Sequence, residues 1–201
     1  MICLSFKKFE RVIYYMEKNV VLNNFDGDKM ELVDLYNSKR ENLNKTWERK
    51  SKIEPPIGEY KINVHTWLLN DKNELLIQKR GANLRRHPNK WNFTGGAVDT
   101  NESSYEGAKR EVQEELGINI DNLELLISFR REHDFVDVWV AKINVDLDDL
   151  VLSEREVQEV RWVSLDALEE LMKNGEFVPS LKLYYPLFKK LLEKCYINNE
   201  Q

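Results

Sequence analysis

The sequence predicts a layered α/β fold built on a mixed β-sheet. Three observations indicate it: β-rich runs lie on both sides of one well-bounded helix, helical sequence closes the chain, and Gly, Pro and Asn residues separate these segments. With 201 residues, 42% of them hydrophobic, the chain is long enough to bury the core of one domain. We therefore expect one layered domain.

The N-terminal part divides into an extension and the start of this domain. Residues 1–29 are predicted to be an N-terminal extension, either a short helix or a poorly ordered segment, ending in an Asn- and Asp-rich linker. The domain is predicted to occupy residues 30–201. Its first feature is a β-hairpin, because residues 31–36 and 43–49 flank a polar turn.

Further strands and helices follow along the chain. Pro55, Pro56 and Gly58 separate the hairpin from the first long β-rich run. Strands are predicted over residues 60–69, 74–80, 91–93, 123–131, 135–143 and 160–163. Helices are predicted over residues 103–116, 165–173 and about 181–196.

The helix over residues 103–116 has clear start and stop signals. Ser103 is an N-cap, Glu106 completes a capping box three residues later, and Gly117 provides the left-handed residue that ends a helix. One helical face carries an apolar stripe of Tyr105, Ala108, Val112 and Leu116. We expect this stripe to pack on the sheet.

A second face of the same helix carries three carboxylates, Glu111, Glu114 and Glu115. Carboxylates at these spacings repel one another, and solvent, basic partners or a divalent cation can relieve the repulsion. The Gly95-Gly96 pair ahead of the helix lets backbone approach a ligand closely, and Arg110 is placed to brace a carboxylate. Hard oxygen ligands at this density suit Mg²⁺ or Mn²⁺, so the pattern favours hydrolysis of a phosphoanhydride over a plain solvated face.

Charge and hydropathy disfavour several other classes of function. The formal net charge is −5 and the pI is near 5.4, which would not attract a nucleic-acid duplex or an anionic membrane. No apolar run approaches the roughly 20 residues of a spanning helix, and no export signal is evident, so we expect a cytoplasmic protein. Cys3 and Cys195 lack metal-ligand spacing, so neither a zinc site nor a disulfide is predicted.

The sequence from Gly96 to Ile118 resembles the Nudix box, G-x5-E-x7-R-E-U-x-E-E-x-G-U with U aliphatic, at every specified position. This resemblance implies an α/β/α sandwich with a mixed sheet. It also implies a pyrophosphohydrolase that uses metal-activated water to cut the diphosphate linkage of a nucleoside diphosphate joined to another group. The stretch from Met30 onward is similar to bacterial Nudix proteins related to isopentenyl-diphosphate isomerases.

The resemblance also implies roles for the residues of the box. Glu111, Glu114 and Glu115 would coordinate Mg²⁺, with Mn²⁺ as a substitute, and the Gly96 carbonyl would add a ligand. Glu102 and Arg110 would orient the loop and the helix, and complete the catalytic set with Glu111 and Glu114. The general base would be Glu111 or a carboxylate from a later loop. The partner would be a small-molecule diphosphate, with the protein as a homodimer.

Residues outside the box supply further candidates for substrate contacts. Arg80 ends a strand near the box and suits a phosphate, and His133 suits a base or hydroxyl. Glu159, with Glu154 and Glu156, lies where Nudix enzymes often supply an extra base or ligand. Each of these residues also fits a plain surface or packing role.

Two alternative functions remain open on the same fold. An isopentenyl-diphosphate isomerase would carry a cysteine in the loop before the box, whereas residues 87–96 contain none. A non-catalytic nucleotide-binding Nudix module would commonly have lost box carboxylates, and all are present here. The hydrolase is therefore the favoured function.

Overall fold

The protein's computed structural model describes residues 31–49 and 54–197. The predicted extension over residues 1–29 lies outside the described residues and stays a prediction.

The N-terminal hairpin is present as predicted. Strand β1 (Leu32–Tyr36) pairs in antiparallel fashion with β2 (Asn42–Glu48). Asn37 shapes the turn, because its side-chain oxygen accepts hydrogen bonds from the backbone N–H groups of Lys39 and Glu41. The two strands form a small sheet of their own.

The main sheet has six strands: β3 (Lys61–Leu69), β4 (Leu75–Arg80), β5 (Trp91–Asn92), β6 (Glu124–Arg130), β7 (Asp134–Lys142) and β8 (Val157–Val163). Its order is β5-β4-β3-β7-β6, with β8 beside β4. The β3 and β7 strands are parallel and the other pairs are antiparallel, so the predicted mixed sheet is confirmed.

Strands β3 and β4 pair only where Leu69 faces Leu75. Beyond that point the chain after β5 lies against β3, with bridges from Thr94 to Thr66 and from Ala97 to Asn63. This crossing segment contains the Gly95-Gly96 pair. The local opening between two strands therefore leaves room for the glycines alongside β3, where both are partly exposed.

Helices cover both faces of the sheet. The helix α1 (Ser104–Leu116) packs on one face, and α2 (Leu165–Lys173) and α3 (Tyr185–Leu192) pack on the other. The core on the α1 side includes Ile62, Val64, Leu68, Leu76, Val98, Ala108, Val112 and Leu116. The opposite core includes Trp67, Leu69, Ile77, Phe93, Val136, Val138, Leu168, Phe188 and Leu192. The result is an α/β/α sandwich, as predicted.

Two element boundaries differ from the predictions. Strand β8 begins at Val157, because pairing with β4 extends it over polar residues that do not signal a strand by themselves. The predicted helix over about 181–196 is divided into a 3-10 turn (Pro179–Leu183), α3 and a π turn (Glu193–Ile197). The division before α3 has a physical reason: Pro186 has no N–H and is accommodated only in the first turn of a helix.

Candidate active site

The loop before α1 passes so close to its neighbours that it requires glycine at two positions. Gly95 has a φ of 153°, and a Cβ there would lie 2.1 Å from the carbonyl oxygen of Val64. A Cβ on Gly96 would lie 2.2 Å from Oε1 of Glu111. Because Gly96 has no side chain, the carboxylate of Glu111 can pack directly against the backbone of the loop.

Helix α1 is bounded by the caps that the sequence predicts. Ser103 Oγ accepts from the N–H of Glu106 at 3.2 Å, and Glu106 Oε2 accepts from the N–H of Ser103 at 2.8 Å. Gly117 ends the helix in the left-handed conformation with a φ of 72°. These local bonds fix where α1 begins and where it ends.

The three carboxylates of α1 have unequal environments. Glu111 and Glu115 are only 4% and 3% exposed, whereas the side chain of Glu114 is 60% exposed. Oε2 of Glu115 accepts a hydrogen bond from the N–H of Gly95 at 3.0 Å. Glu114 therefore lies on a solvent-exposed face of the helix, whereas Glu111 and Glu115 do not.

Burial and mutual repulsion disfavour the charged forms of the two buried carboxylates. Burial raises the pKa of Glu111 to about 7, although the positive charges of Arg110 and Arg49 oppose the rise. Burial raises the pKa of Glu115 to about 8, and the charge of Glu111 raises it further. Two buried carboxylates that repel each other form a site that a cation would stabilise.

Arg110 joins the loop to the helix. Its Nε and Nη2 donate to the two oxygens of Glu102, each at 2.9 Å, and Nη2 also donates to the carbonyl of Ala97 at 2.9 Å. Its Nη1 donates to Glu111 at 2.9 Å and to Glu114 at 3.0 Å. Such bidentate, charge-assisted bonds restrict both partners, so the loop and the carboxylates are held in one arrangement.

Across residues 31–49 and 54–197, no three or more His, Cys, Asp or Glu side chains are arranged as a metal site. The donor set nevertheless fits a divalent cation. Glu111 and Glu115 are hard oxygen donors, buried beside a loop whose glycine leaves no side chain in the way. The Gly96 carbonyl accepts from the N–H of Val64 at 2.8 Å, and a carbonyl oxygen has a second lone pair for another partner.

The predicted substrate residues lie at separate places. Arg80 ends β4, and its Nε donates to the carbonyl of Arg86 at 3.1 Å. Glu159 is exposed on β8. His133 precedes β7, and its buried Nδ1 has no hydrogen-bond partner. Among the described residues, none of the three forms a hydrogen bond with the buried carboxylates of α1.

Two residues near the carboxylates, Gln78 and Arg49, were missed by the sequence analysis, and a third, Glu156, was named there together with Glu154 and Glu159. Gln78 is 1% exposed on β4 and hydrogen-bonds to Glu115, which lowers the pKa of that carboxyl against the effect of burial. A polar residue within the apolar run of β4 was the available signal. The charge of Glu156 raises the pKa of Glu115. Arg49, at the end of the hairpin, carries no signal in its local sequence.

Comparison with known proteins agrees with this fold. A family model described as NUDIX domain matches residues 59–185. An uncharacterized Nudix hydrolase of Listeria innocua is 41% identical over 153 residues, covering 75% of this chain and 89% of that protein. An asymmetrical bis(5'-nucleosyl)-tetraphosphatase of Rattus norvegicus is 34% identical over 100 residues, covering 46% of this chain and 67% of that protein. The crystal structure of a MutT protein from Methanosarcina mazei Go1 is similar with a TM-score of 0.53 and 29% identity, covering 70% of this chain and 97% of that one.

The family match and the relatives define an enzyme that acts on acid anhydrides of phosphate, of a class that generally uses divalent metals. The chain belongs to the Nudix family, and it is a Nudix pyrophosphohydrolase. The relation to the isomerase-like subgroup stays a prediction. No helix within the described residues is long and apolar enough to span a bilayer.

Proposed function

We propose that this hydrolase cuts the diphosphate linkage of a nucleoside diphosphate joined to another group, with Mg²⁺ bound by Glu111, Glu114 and Glu115 and by the Gly96 carbonyl. The observation that carries the proposal is the burial of two mutually repelling carboxylates against a glycine loop. Burying this pair does not stabilise the fold, because removing the two carboxylates from water disfavours their charged forms and raises the pKa of both. A bound divalent cation compensates both charges.

In this proposal Mg²⁺ supplies charge neutralisation of the phosphate oxygens and lowers the pKa of a bound water. The protein's own residues provide the positioning. Arg110 and Glu102 keep the loop fixed against α1 through paired hydrogen bonds, and Glu114, which accepts from Arg110, would be one of the residues that hold the metal.

The attacking water gives its proton to a carboxylate. Glu111 is one candidate, and Glu156 is the later-loop residue whose charge reaches Glu115. The variant Glu156→Gln decides between them: if Glu156 is the base, the variant loses turnover with little change in apparent Mg²⁺ affinity, whereas unchanged turnover leaves Glu111 as the base.

The similarity to an asymmetrical bis(5'-nucleosyl)-tetraphosphatase supports including dinucleoside polyphosphates among the test substrates. The test is a panel of dinucleoside polyphosphates, nucleotide sugars, coenzyme diphosphates and nucleoside triphosphates, assayed with Mg²⁺ for released products. Turnover in ¹⁸O-labelled water should place the label on a phosphate product. Isopentenyl diphosphate is included, and its isomerisation without hydrolysis of any panel compound would overturn the proposal.

A contact with Arg80, His133 or Glu159 remains part of the proposal, tested by alanine variants against the best panel substrate. A homodimer and a cytoplasmic location are also proposed, and sedimentation and cell fractionation would test them. The acidic net charge supports a small-molecule partner over a nucleic-acid duplex or a membrane.

A further inference from the structure

The N-terminal hairpin lies outside the region matched by the Nudix family model, which begins at residue 59. It is nevertheless packed into the domain, because Val33 and Leu35 on β1 are only 0% and 2% exposed. The backbone of Tyr36 also pairs with that of Tyr60 through hydrogen bonds of 2.7 and 2.8 Å. Strand β1 is therefore a fixed surface of the domain.

The segment that leads into α1 contains a β-turn over residues 99–102. The N–H of Glu102 donates to the carbonyl of Asp99 at 3.1 Å, which closes the turn. Asn101 is its third residue and has a φ of 63°, in the left-handed region that Asn tolerates better than most residues. Because Glu102 is the last residue of the turn, the position of the turn determines the position of the Glu102 side chain.

Strand β1 pairs with the two N–H groups that the turn leaves without an internal partner. A β-turn satisfies only the N–H of its last residue, so those of its two central residues need acceptors elsewhere. The carbonyl of Leu32 accepts from the N–H of Thr100 at 2.9 Å. Oδ2 of Asp34 accepts from the N–H of Asn101 at 3.1 Å. The turn is thus docked on β1 through both of its central residues.

Glu102 connects the docked turn to the carboxylates of α1. Its Oε2 accepts from the N–H of Asp99 at 3.0 Å, which fixes the side chain against the turn. Its two oxygens also accept from Arg110, each at 2.9 Å, and Arg110 donates to Glu111 at 2.9 Å. A continuous series of hydrogen bonds therefore leads from β1 through the turn and Arg110 to Glu111.

A buried ion pair anchors the other end of the hairpin. Nη1 of Arg40 donates to Asp137 Oδ1 at 2.8 Å, and Nη2 donates to the other oxygen. Nη1 also donates to Ser128 Oγ at 2.6 Å. Asp137 is only 1% exposed on β7, so this end of the hairpin is joined to the main sheet by a shielded pair. The anchor restricts movement of β1 relative to the sheet.

We propose that β1 positions the turn before α1 for catalysis, and that Asp34 is a positioning residue of the hydrolase. It acts on Glu111 through the turn, Glu102 and Arg110. The inference rests on the proposed function, because it takes Glu111 to be a ligand of the metal. Without the bond from Asp34, the turn and Glu102 can shift together, and Arg110 no longer holds Glu111 in one place. A misplacement of about 1 Å is enough to slow a reaction greatly.

The first experiment compares wild type with Asp34→Ala and Asp34→Asn. Steady-state kinetics with the best substrate of the panel measures kcat and KM, and titration with Mn²⁺ alone, followed by electron paramagnetic resonance, measures metal affinity. For Asp34→Ala we expect kcat to fall about tenfold and the Kd of Mn²⁺ to rise about threefold or more, with a smaller change in KM. Asp34→Asn should keep kcat within about twofold of wild type, because its amide oxygen can still accept from the N–H of Asn101.

Glu41→Ala is the matched control. Glu41 is a carboxylate of the same hairpin, and it accepts from Nδ2 of Asn37 at 2.7 Å. Among the described residues it makes no hydrogen bond with the turn over residues 99–102, so kcat and the Kd of Mn²⁺ should stay at wild-type values. Circular dichroism verifies that each variant is folded. A wild-type kcat in Asp34→Ala, or equal losses in Asp34→Ala and Asp34→Asn, would overturn the inference.

The second experiment tests the hairpin as one support. The double variant Arg40→Met with Asp137→Asn removes both charges of the buried pair, so no unpaired charge is left behind. Its kcat should fall, and adding Asp34→Ala to it should reduce kcat by a smaller factor than the same substitution does in wild type. An unchanged kcat in the double variant, or equal factors in the two backgrounds, would show that the anchor does not act through the turn.

The two levels of proposal fail in different ways. If wild type hydrolyses no compound of the panel and binds no Mn²⁺, the proposed function fails. If wild type is active and Glu115→Gln is inactive, while Asp34→Ala behaves as wild type, the proposed function stands and the positioning role of β1 is refuted.

Discussion

Glu115→Gln should stabilise the metal-free protein while it abolishes turnover. Burial raises the pKa of Glu115 from 4.5 to about 8. The folded state therefore binds more protons than the unfolded state, and wild-type stability falls as the pH rises from about 4.5 to about 8. A shift of this size corresponds to at most about 5 kcal/mol above that range.

The substitution removes this unfavourable charge and keeps the shape. The amide oxygen introduced by Glu115→Gln can still accept from the N–H of Gly95. In EDTA at pH 8, we expect the free energy of unfolding to exceed that of wild type by about 1 to 4 kcal/mol, within the limit set by the pKa shift. The difference should disappear near pH 4.5, where the wild-type carboxyl is protonated.

The assay is chemical denaturation followed by tryptophan fluorescence, in EDTA and in Mg²⁺ across this pH range. Mg²⁺ should stabilise wild type through linkage and should stabilise Glu115→Gln much less. Glu114→Gln is the control, because Glu114 is exposed: its unfolding free energy in EDTA should match wild type, although its activity is lost. A Glu115→Gln variant less stable than wild type in EDTA at pH 8 would refute the reasoning.

Three further substitutions separate the site from the fold. Gly96→Ala should reduce kcat/KM by about a hundredfold, because its Cβ would displace the carboxylate of Glu111 from 2.2 Å, and circular dichroism should show an intact fold. Arg110→Gln should lower the free energy of unfolding by about 2 kcal/mol and raise the Mg²⁺ concentration needed for half-maximal activity, because Arg110 holds Glu102 and Glu111 in place. An unaltered Mg²⁺ dependence would contradict this positioning role. Gly117→Ala should lower the unfolding free energy by about 1 to 2 kcal/mol, because the residue has a φ of 72° and an added Cβ would clash with Val151. The KM should not change, because Gly117 ends the helix and does not contact substrate.

Local patterns in the sequence were sufficient for the elements that local interactions determine. The capping box at Ser103 and the left-handed Gly117 depend on bonds between residues at most four apart, so the limits of α1 could be predicted. The spacing of the residues from Gly96 to Ile118 is by itself enough to identify the family. The strand alternation likewise predicted the hairpin and the main strands.

The sequence could not rank the three glutamates of α1, since helical spacing alone places them on neighbouring positions. Which of them is buried depends on the crossing segment that carries Gly95 and Gly96 between β3 and β4. The start of β8 was missed for a related reason, because its polar residues become strand only by pairing with β4.

The sequence by itself determined the family, the limits of α1 and the identity of the acidic residues, because each depends on near neighbours in the chain. Only the tertiary structure decided that Glu111 and Glu115 are buried, that Arg40 pairs with Asp137 97 residues away, and that the charge of Arg49 reaches Glu111. Such contacts arise when packing of the whole chain brings distant segments together and removes water between them. No periodicity or spacing along the chain encodes which partners meet.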